Sequence, residues 1–466
     1  MQNDITEILG ASVVSVDPPT EEEIVASYAD GIWLDQDKLK VNENVFGRLF
    51  RDVYHLQYQN GLFYTKDGKM TEEFLSKEIW ETIADIGIAS DVEKTVKKLV
   101  GAVKLASTVR HMEMDPNVIP YNNGDFHVRE WEFRLQEYGP VPYRLAAYLP
   151  LEFKQLPYFS KWLKDLFYDE DVPTLQEYLG YCLVPSTKGQ KALFLVGEGG
   201  TGKSGLGCIL EGILGDAMIN VANTQEFLQD KFKLAELEHK LVLYDDDLGT
   251  EALEDSGLYK KLITNSIAIT ADRKYGQPFK FVPQIKIVAC CNQMLVSPND
   301  MTSGFYRRLL PIVCKPLAKD FVPDPRFYDH LREEAPSIAA WAMLGLHRLV
   351  KNNWVLSESE RSQNYLKQKQ ELENPYPAFM DSCFDFDPSY PGLSSVEIHN
   401  LYNAWCVRND IKPESGRKLQ LWLSDNATKY GIRASHNIIS GDHPVRGYRG
   451  LLVREKQVKS TRIQLT

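Results

Sequence analysis

The chain has 466 residues, 43% hydrophobic and 25% charged, and a net charge of −11. A chain of this length has room for about three domains, and its composition excludes a disordered or fibrous protein. No stretch approaches the roughly 18 consecutive apolar residues that span a bilayer, and the first residues lack the basic and apolar regions of a signal peptide. A cytoplasmic protein with no membrane partner is therefore expected.

Residues 1–45 are acidic and weakly patterned and read as an arm. Residues 46–165 combine helical periodicity, from about Phe74 to Leu105, with turns such as Asn122-Asn123-Gly124; a mainly helical domain is expected. From 166 to 325 the character changes. Apolar runs at 192–196, 240–244 and 285–291 read as buried strands of an α/β core. Residues 326–377 read as a helical lid and linker, closed by Asn374-Pro375 and Pro377. The last domain, 378–466, opens with a helix carrying Ile398, Leu401 and Trp405 on one face. A second helix with a basic front follows, and then two strands at 433–439 and 447–454. Helices followed by a β-hairpin suggest a winged helix. Arg417 and Lys418 would enter a major groove, and Arg446 and Arg449 would lie on the wing. Such folds also mediate protein contacts.

Charge supports a polar division of the chain. From Ile411 to Thr466 there are eleven Lys and Arg against four Asp and Glu, a local charge of +7, which leaves the preceding 410 residues at −18. A basic end on an acidic body suggests that this end meets nucleic acid. None of the seven cysteines forms a C-x-x-C pair, so a zinc ribbon is not expected. Buried free thiols in a reducing compartment fit better.

The most specific motif is Gly197, Glu198, Gly199, Gly200, Thr201, Gly202, Lys203 and Ser204. It fits G-x-x-x-x-G-K-[ST], follows an apolar strand and precedes a helix, the context a phosphate-binding loop requires. Its glycines let backbone N–H groups close around phosphate oxygens, and the helix N-terminus adds the positive end of its dipole. Lys203 is expected on the β and γ phosphates, and Ser204 on Mg²⁺. A second apolar strand ends in Asp245-Asp246-Asp247, which places carboxylates beside the phosphates. Asp245 is the expected metal-side acid and Asp246 the acid that orients the attacking water. Three acids in a row leave the register open, Asp247 included. A third strand ends at Asn292, placed to sense the γ phosphate and position water. Arg307 and Arg308 follow. One of them is expected to act as an arginine finger on a nucleotide held by a neighbouring subunit. Arg273, Lys274 and Tyr275 sit at a turn between two β-like runs, where cations suit a DNA backbone and an aromatic can stack on bases.

These elements, in this order within residues 197–308, resemble the superfamily 3 helicases. The nearest resemblance is to the helicase half of phage and plasmid primase-helicases, related to the poxvirus primase-helicase. The segment from Asp115 to Asp125 and that from Leu175 to Tyr181 look like the family's pre-helicase region, and the turn at Arg273-Lys274-Tyr275-Gly276 looks like its DNA-gripping β-hairpin. The resemblance covers roughly residues 46–455. It implies an α/β AAA+ P-loop core using ATP and Mg²⁺, assembled as a hexamer on single-stranded DNA. Family members often carry an N-terminal primase domain. Here the similarity begins near residue 46, so no primer synthesis is expected and a separate primase or polymerase is an expected partner. The resulting expectation is an ATP-dependent replicative DNA helicase of a phage, plasmid or other mobile element. The alternatives are an AAA+ ATPase that remodels protein–DNA complexes without unwinding, and an origin-binding initiator.

Overall fold

The computed structural model describes residues 21–454, apart from 39, 85–90, 110–111, 113, 136–138, 148–155, 250–255, 265–266, 274–276, 295–302, 319–323 and 441–442. Much of the expected arm, and Lys274 and Tyr275, therefore lie outside the described residues. The chain forms two compact units. The first is Met1–Thr250 with Gly257–Leu295 and Arg308–Ser359; the second is Glu251–Ser256 with Val296–Arg307 and Glu360–Thr466. The second unit thus begins before Asn374-Pro375, where the sequence suggests a boundary.

The first unit is organised by one parallel sheet. Its strands are β1 (Ala192–Val196), β2 (Met218–Val221), β3 (Val242–Asp245), β4 (Lys286–Cys291) and β5 (Leu309–Val313), in the spatial order β2-β3-β4-β1-β5. Every residue of β1, β3 and β4 is buried. Continuous apolar runs of this kind suit a parallel sheet covered on both faces. Covering helices include α1 (Pro157–Leu166), α2 (Val172–Cys182), α3 (Gly205–Leu214) and α4 (Phe327–Lys351). Trp162, Tyr178, Leu210, Ile338 and Leu346 from these helices share a core with Leu193 and Leu195 of β1. Two polar features lie inside this packing. Glu177 on α2 is buried and accepts from Arg348 Nε on α4 at 2.5 Å and from the Ser357 N–H at 2.7 Å. Lys286, the first residue of β4, donates to the carbonyls of Val184 and Gln284 above the Tyr181 ring. Burial lowers its pKa to about 7.

Residues 46–165 are less helical than the sequence pattern suggests. Helices Glu43–Val53, Glu72–Ala84 and Val92–Ser107 pack around Phe46, Phe50, Leu75, Leu99 and Val103. Two three-stranded antiparallel meanders accompany them, one at 57–70 between the first two helices and the other at 118–134 after the third. The first meander turns on Asn60 and Gly61, with φ +49° and +88°. Positive φ at both positions of a two-residue Asn-Gly loop is the geometry that matches strand twist. Strands of three or four residues are too short for periodicity to reveal, so the Asn-Gly pair is the usable signal.

The second unit contains helices Glu360–Glu373, Tyr376–Cys383, Ser395–Arg408 and Gly416–Asn426. Leu393–Ser394, His443–Arg449 and Arg433–Ser440 form a three-stranded antiparallel sheet in that order. Ser394 starts its helix with a capping box. Its hydroxyl accepts the Glu397 N–H, and the Glu397 carboxylate accepts the Ser394 N–H. Phe379, Tyr402, Trp405, Leu423 and Tyr448 fill the core. All seven cysteines are free thiols, six of them buried. Among the described residues no helix is long and apolar enough to cross a membrane.

Candidate functional site

The carboxyl ends of β1, β3 and β4 converge on one edge of the sheet, where open parallel sheets bind ligands. β4 lies between β1 and β3. The Gly197 N–H donates to the Cys291 carbonyl at 3.1 Å, so exposed Asn292 follows directly beside the start of the glycine-rich loop.

The loop has the conformation its glycines predict. Gly200 and Gly202 have φ of +79° and +97°, a region L-residues with side chains rarely enter. A Cβ at Gly199, Gly200 or Gly202 would meet nothing within 4 Å, so backbone conformation rather than crowding fixes glycine at 200 and 202, and the loop is open. Lys203 Nζ folds back onto the carbonyls of Gly197 and Glu198, each at 2.7 Å. Trp162 Nε1 on α1 donates to the Gly202 carbonyl at 2.9 Å and pins the loop from outside.

Ser204 stands at the N-terminus of α3, where a serine usually caps its own helix. Its side chain makes no such bond. The hydroxyl donates instead to Asp246 Oδ2 at 3.0 Å. Asp246 also accepts from Tyr244 Oη at 2.5 Å. The sequence-based register is corrected here: Asp246, not Asp245, faces Ser204. Successive strand residues point to opposite faces. Tyr244 and Asp246 share the face toward α3, and Asp245 points the other way. Asp245 is buried and accepts from the backbone N–H and hydroxyl of Thr224 at 2.9 and 2.6 Å, fixing the start of helix Thr224–Gln229. Asp247 is exposed, and its N–H donates to Asp245 Oδ1 at 3.3 Å.

The donor set fits Mg²⁺. Among the described residues no group of three or more His, Cys, Asp or Glu is placed to hold a metal, but Mg²⁺ takes one or two protein oxygens and completes its shell with water and phosphate. Ser204 and Asp246 supply two hard oxygens beside an anion cradle.

Arg308 is half-buried just before β5, and its carbonyl accepts the Ala192 N–H at 2.8 Å. That places it at the amino end of β1, roughly 15 Å of strand away from the glycine-rich loop at about 3.3 Å per residue. Arg308 therefore does not serve the site of its own chain. Arg307 is exposed.

The expected hairpin forms between Ile269–Ala271 and Phe279–Phe281. Arg273 is not a free cation there. Its guanidinium pairs with Glu238 and lies 4.8 Å from the Phe279 ring centroid, while Asn60 Nδ2 donates to the other Glu238 oxygen at 2.6 Å. Arg273 thus ties the hairpin base to the first meander.

In the second unit Arg417, Arg446 and Arg449 are exposed, and Lys418 pairs with Glu414 at 3.1 Å. Sequence reasoning missed Arg433, which is also exposed and lies directly opposite Arg449 in the strand register. It also missed Trp162, Thr224 and Tyr244. Arg433 is placed by the strand register, which no alternation in its own sequence shows. The other three are set by tertiary contacts and leave no local signal.

A model of a family of unknown function, DUF5906, matches residues 195–308, from the end of β1 to Arg308. No curated protein gives a significant match. Among solved structures, the chain is similar to the apo structure of the NrS-1 C-terminal region (305–718), at 14% identity and a TM-score of 0.48, covering 85% of this chain and 95% of that one. The A form of the same region gives 14% identity and a TM-score of 0.47, over 81% and 84% of the two chains.

Proposed function

We propose that this chain is an ATP-hydrolysing DNA helicase of the superfamily 3 type, working as a ring, with an α/β AAA+ core and a C-terminal winged helix. The observation that carries the reading is Ser204 facing Asp246 at 3.0 Å beneath an open glycine loop. This pairing joins a phosphate cradle to a hard-cation site at the carboxyl edge of a parallel sheet.

The residues divide the work as follows. Backbone N–H groups from Gly199 to Ser204 take the phosphates, and Lys203 exchanges its two carbonyl partners for phosphate oxygens. Ser204 and Asp246 would hold Mg²⁺, which would offset phosphate charge. Asn292 orients the attacking water from β4, with exposed Asp247 as its acidic neighbour. The position of Arg308 at the far end of the strand favours action across a subunit interface by Arg307 or Arg308, which supports a ring. The helices and hairpin of the second unit, with Arg417, Arg433, Arg446 and Arg449, support duplex binding. The loop holding Lys274 and Tyr275 is assigned to the moving single strand.

Purified protein should hydrolyse ATP in the presence of Mg²⁺, faster with forked DNA, and Lys203→Ala should lose this activity while remaining folded. Equal turnover by the folded variant would remove the nucleotide reading.

A further inference from the structure

Tyr244, the residue before the acidic run, touches Asp246, the carboxylate that faces Ser204. It is buried, 2% exposed. Its ring lies against α3, so closely that a Cβ added to Gly207 would fall 2.6 Å from ring atom Cε1. The ring is therefore fixed by backbone on one side, and its hydroxyl has little freedom.

That hydroxyl sits between two groups of the site. It donates to Asp246 Oδ1 at 2.5 Å and lies 3.4 Å from Cys290 Sγ on β4. Cys290 Sγ in turn is 3.6 Å from the carbonyl of Lys203. With its one proton committed to Asp246, the phenol oxygen is left to accept from the thiol. Asp246 is exposed, and its two oxygens accept from Tyr244, a rigid buried donor, and from Ser204. With Oδ1 held by Tyr244, Oδ2 is turned toward Ser204.

We propose that Tyr244 is a positioning residue for Mg²⁺: it holds the Asp246 carboxylate in the orientation that, with Ser204, receives the cation. This deepens the nucleotide reading above and rests on it. Partners that orient a metal ligand typically change metal affinity or activity by about 10–100-fold when removed.

The test uses the full chain and Tyr244→Phe, which keeps the ring against Gly207 and removes one oxygen. The probe is a fluorescent ADP analogue, titrated with and without excess EDTA, and then titrated with Mg²⁺ at fixed nucleotide. The variant should need about tenfold more Mg²⁺ or greater for half-maximal binding, with its EDTA-state nucleotide affinity unchanged. Asp246→Asn completes a cycle. If Tyr244 acts through Asp246, adding Tyr244→Phe to Asp246→Asn should move the Mg²⁺ midpoint no further. An unshifted midpoint in a folded Tyr244→Phe protein overturns the proposal alone, as does full additivity in the double variant. If Tyr244→Phe does not fold, the Mg²⁺ midpoint of Asp246→Asn still decides, because an unshifted midpoint there removes the carboxylate that Tyr244 is said to position. Nucleotide binding by the unsubstituted chain that ignores Mg²⁺ altogether overturns the cation site and this proposal with it. Failure to bind nucleotide at all overturns the function proposed above.

Discussion

Ser204 Oγ donates to Asp246 Oδ2 at 3.0 Å, joining the loop after β1 to the acidic run after β3. The bond divides three adjacent acids into different roles, and the division can be measured. Asp246→Ala removes an exposed carboxylate but also the acceptor of the buried Tyr244 hydroxyl, so it should cost about 1–3 kcal/mol, while Mg²⁺-dependent nucleotide binding is lost. Asp245→Ala strips the buried N–H and hydroxyl of Thr224 of their acceptor and should cost about 1–3 kcal/mol. Melting curves and nucleotide titrations on both variants check this. A stable Asp245→Ala protein beside an Asp246→Ala protein that binds Mg²⁺-nucleotide normally would mean the register is wrong.

Arg308 lies at the opposite end of β1 from the phosphate loop, joined through its carbonyl to Ala192. If Arg307 or Arg308 completes a neighbour's site, the Ala variant should bind ATP with near-normal affinity and hydrolyse it poorly. Mixed with Lys203→Ala subunits it should recover part of its turnover, because an intact Lys203 site then meets an intact arginine. No recovery in proven mixed oligomers would count against the shared site.

Arg433 opposes Arg449 with both side chains exposed. Like charges directly opposite on paired strands are destabilising, by about 0.2–1 kcal/mol, and a phosphate between them relieves the repulsion. Replacing both by Ala should leave the free protein equally or slightly more stable. It should also lower the slope of log affinity for duplex DNA against log salt by about 1.8, at about 0.9 per phosphate contact. An unchanged slope would detach this hairpin from DNA.

Lys286 gives a pH dependence. The unfolded chain holds the lysine proton up to its ordinary value of 10.5, whereas burial lowers the folded value to about 7. Between these limits the unfolded state binds more protons, so stability rises with pH, by at most about 1.4 kcal/mol per pH unit. Chemical denaturation at pH 6.5 and 7.5, about one unit below the ordinary cysteine value, should register the rise, and Lys286→Met should flatten it. A slope equal in both proteins would contradict the assignment.

How much was legible depended on the range of the interactions involved. The glycine loop, the apolar strands β1, β3 and β4 and the helix at Ser394 each carry a local signature, and each forms where its pattern lies, whereas the second hairpin strand, expected at 447–454, forms at His443–Arg449, and Leu451–Val453 pairs with Phe384–Phe386 instead. The meanders of residues 57–70 and 118–134 were read as helix and turn because their strands are too short to display a period. The choice between Asp245 and Asp246 depends on which face of β3 meets α3, and no local pattern encodes that. Arg273 looked like a free cation because its partner, Glu238, is 35 residues away in sequence.

Strand displacement tests the central claim most directly. A forked DNA duplex of generic sequence, labelled on one strand, is incubated with the full chain, ATP and Mg²⁺, alongside Lys203→Ala. The account predicts ATP-dependent release of the labelled strand by the unsubstituted protein and none by the variant. DNA-stimulated ATP hydrolysis with no strand release, at protein concentrations where oligomers are present, would contradict the helicase assignment and leave an ATPase that remodels protein–DNA complexes.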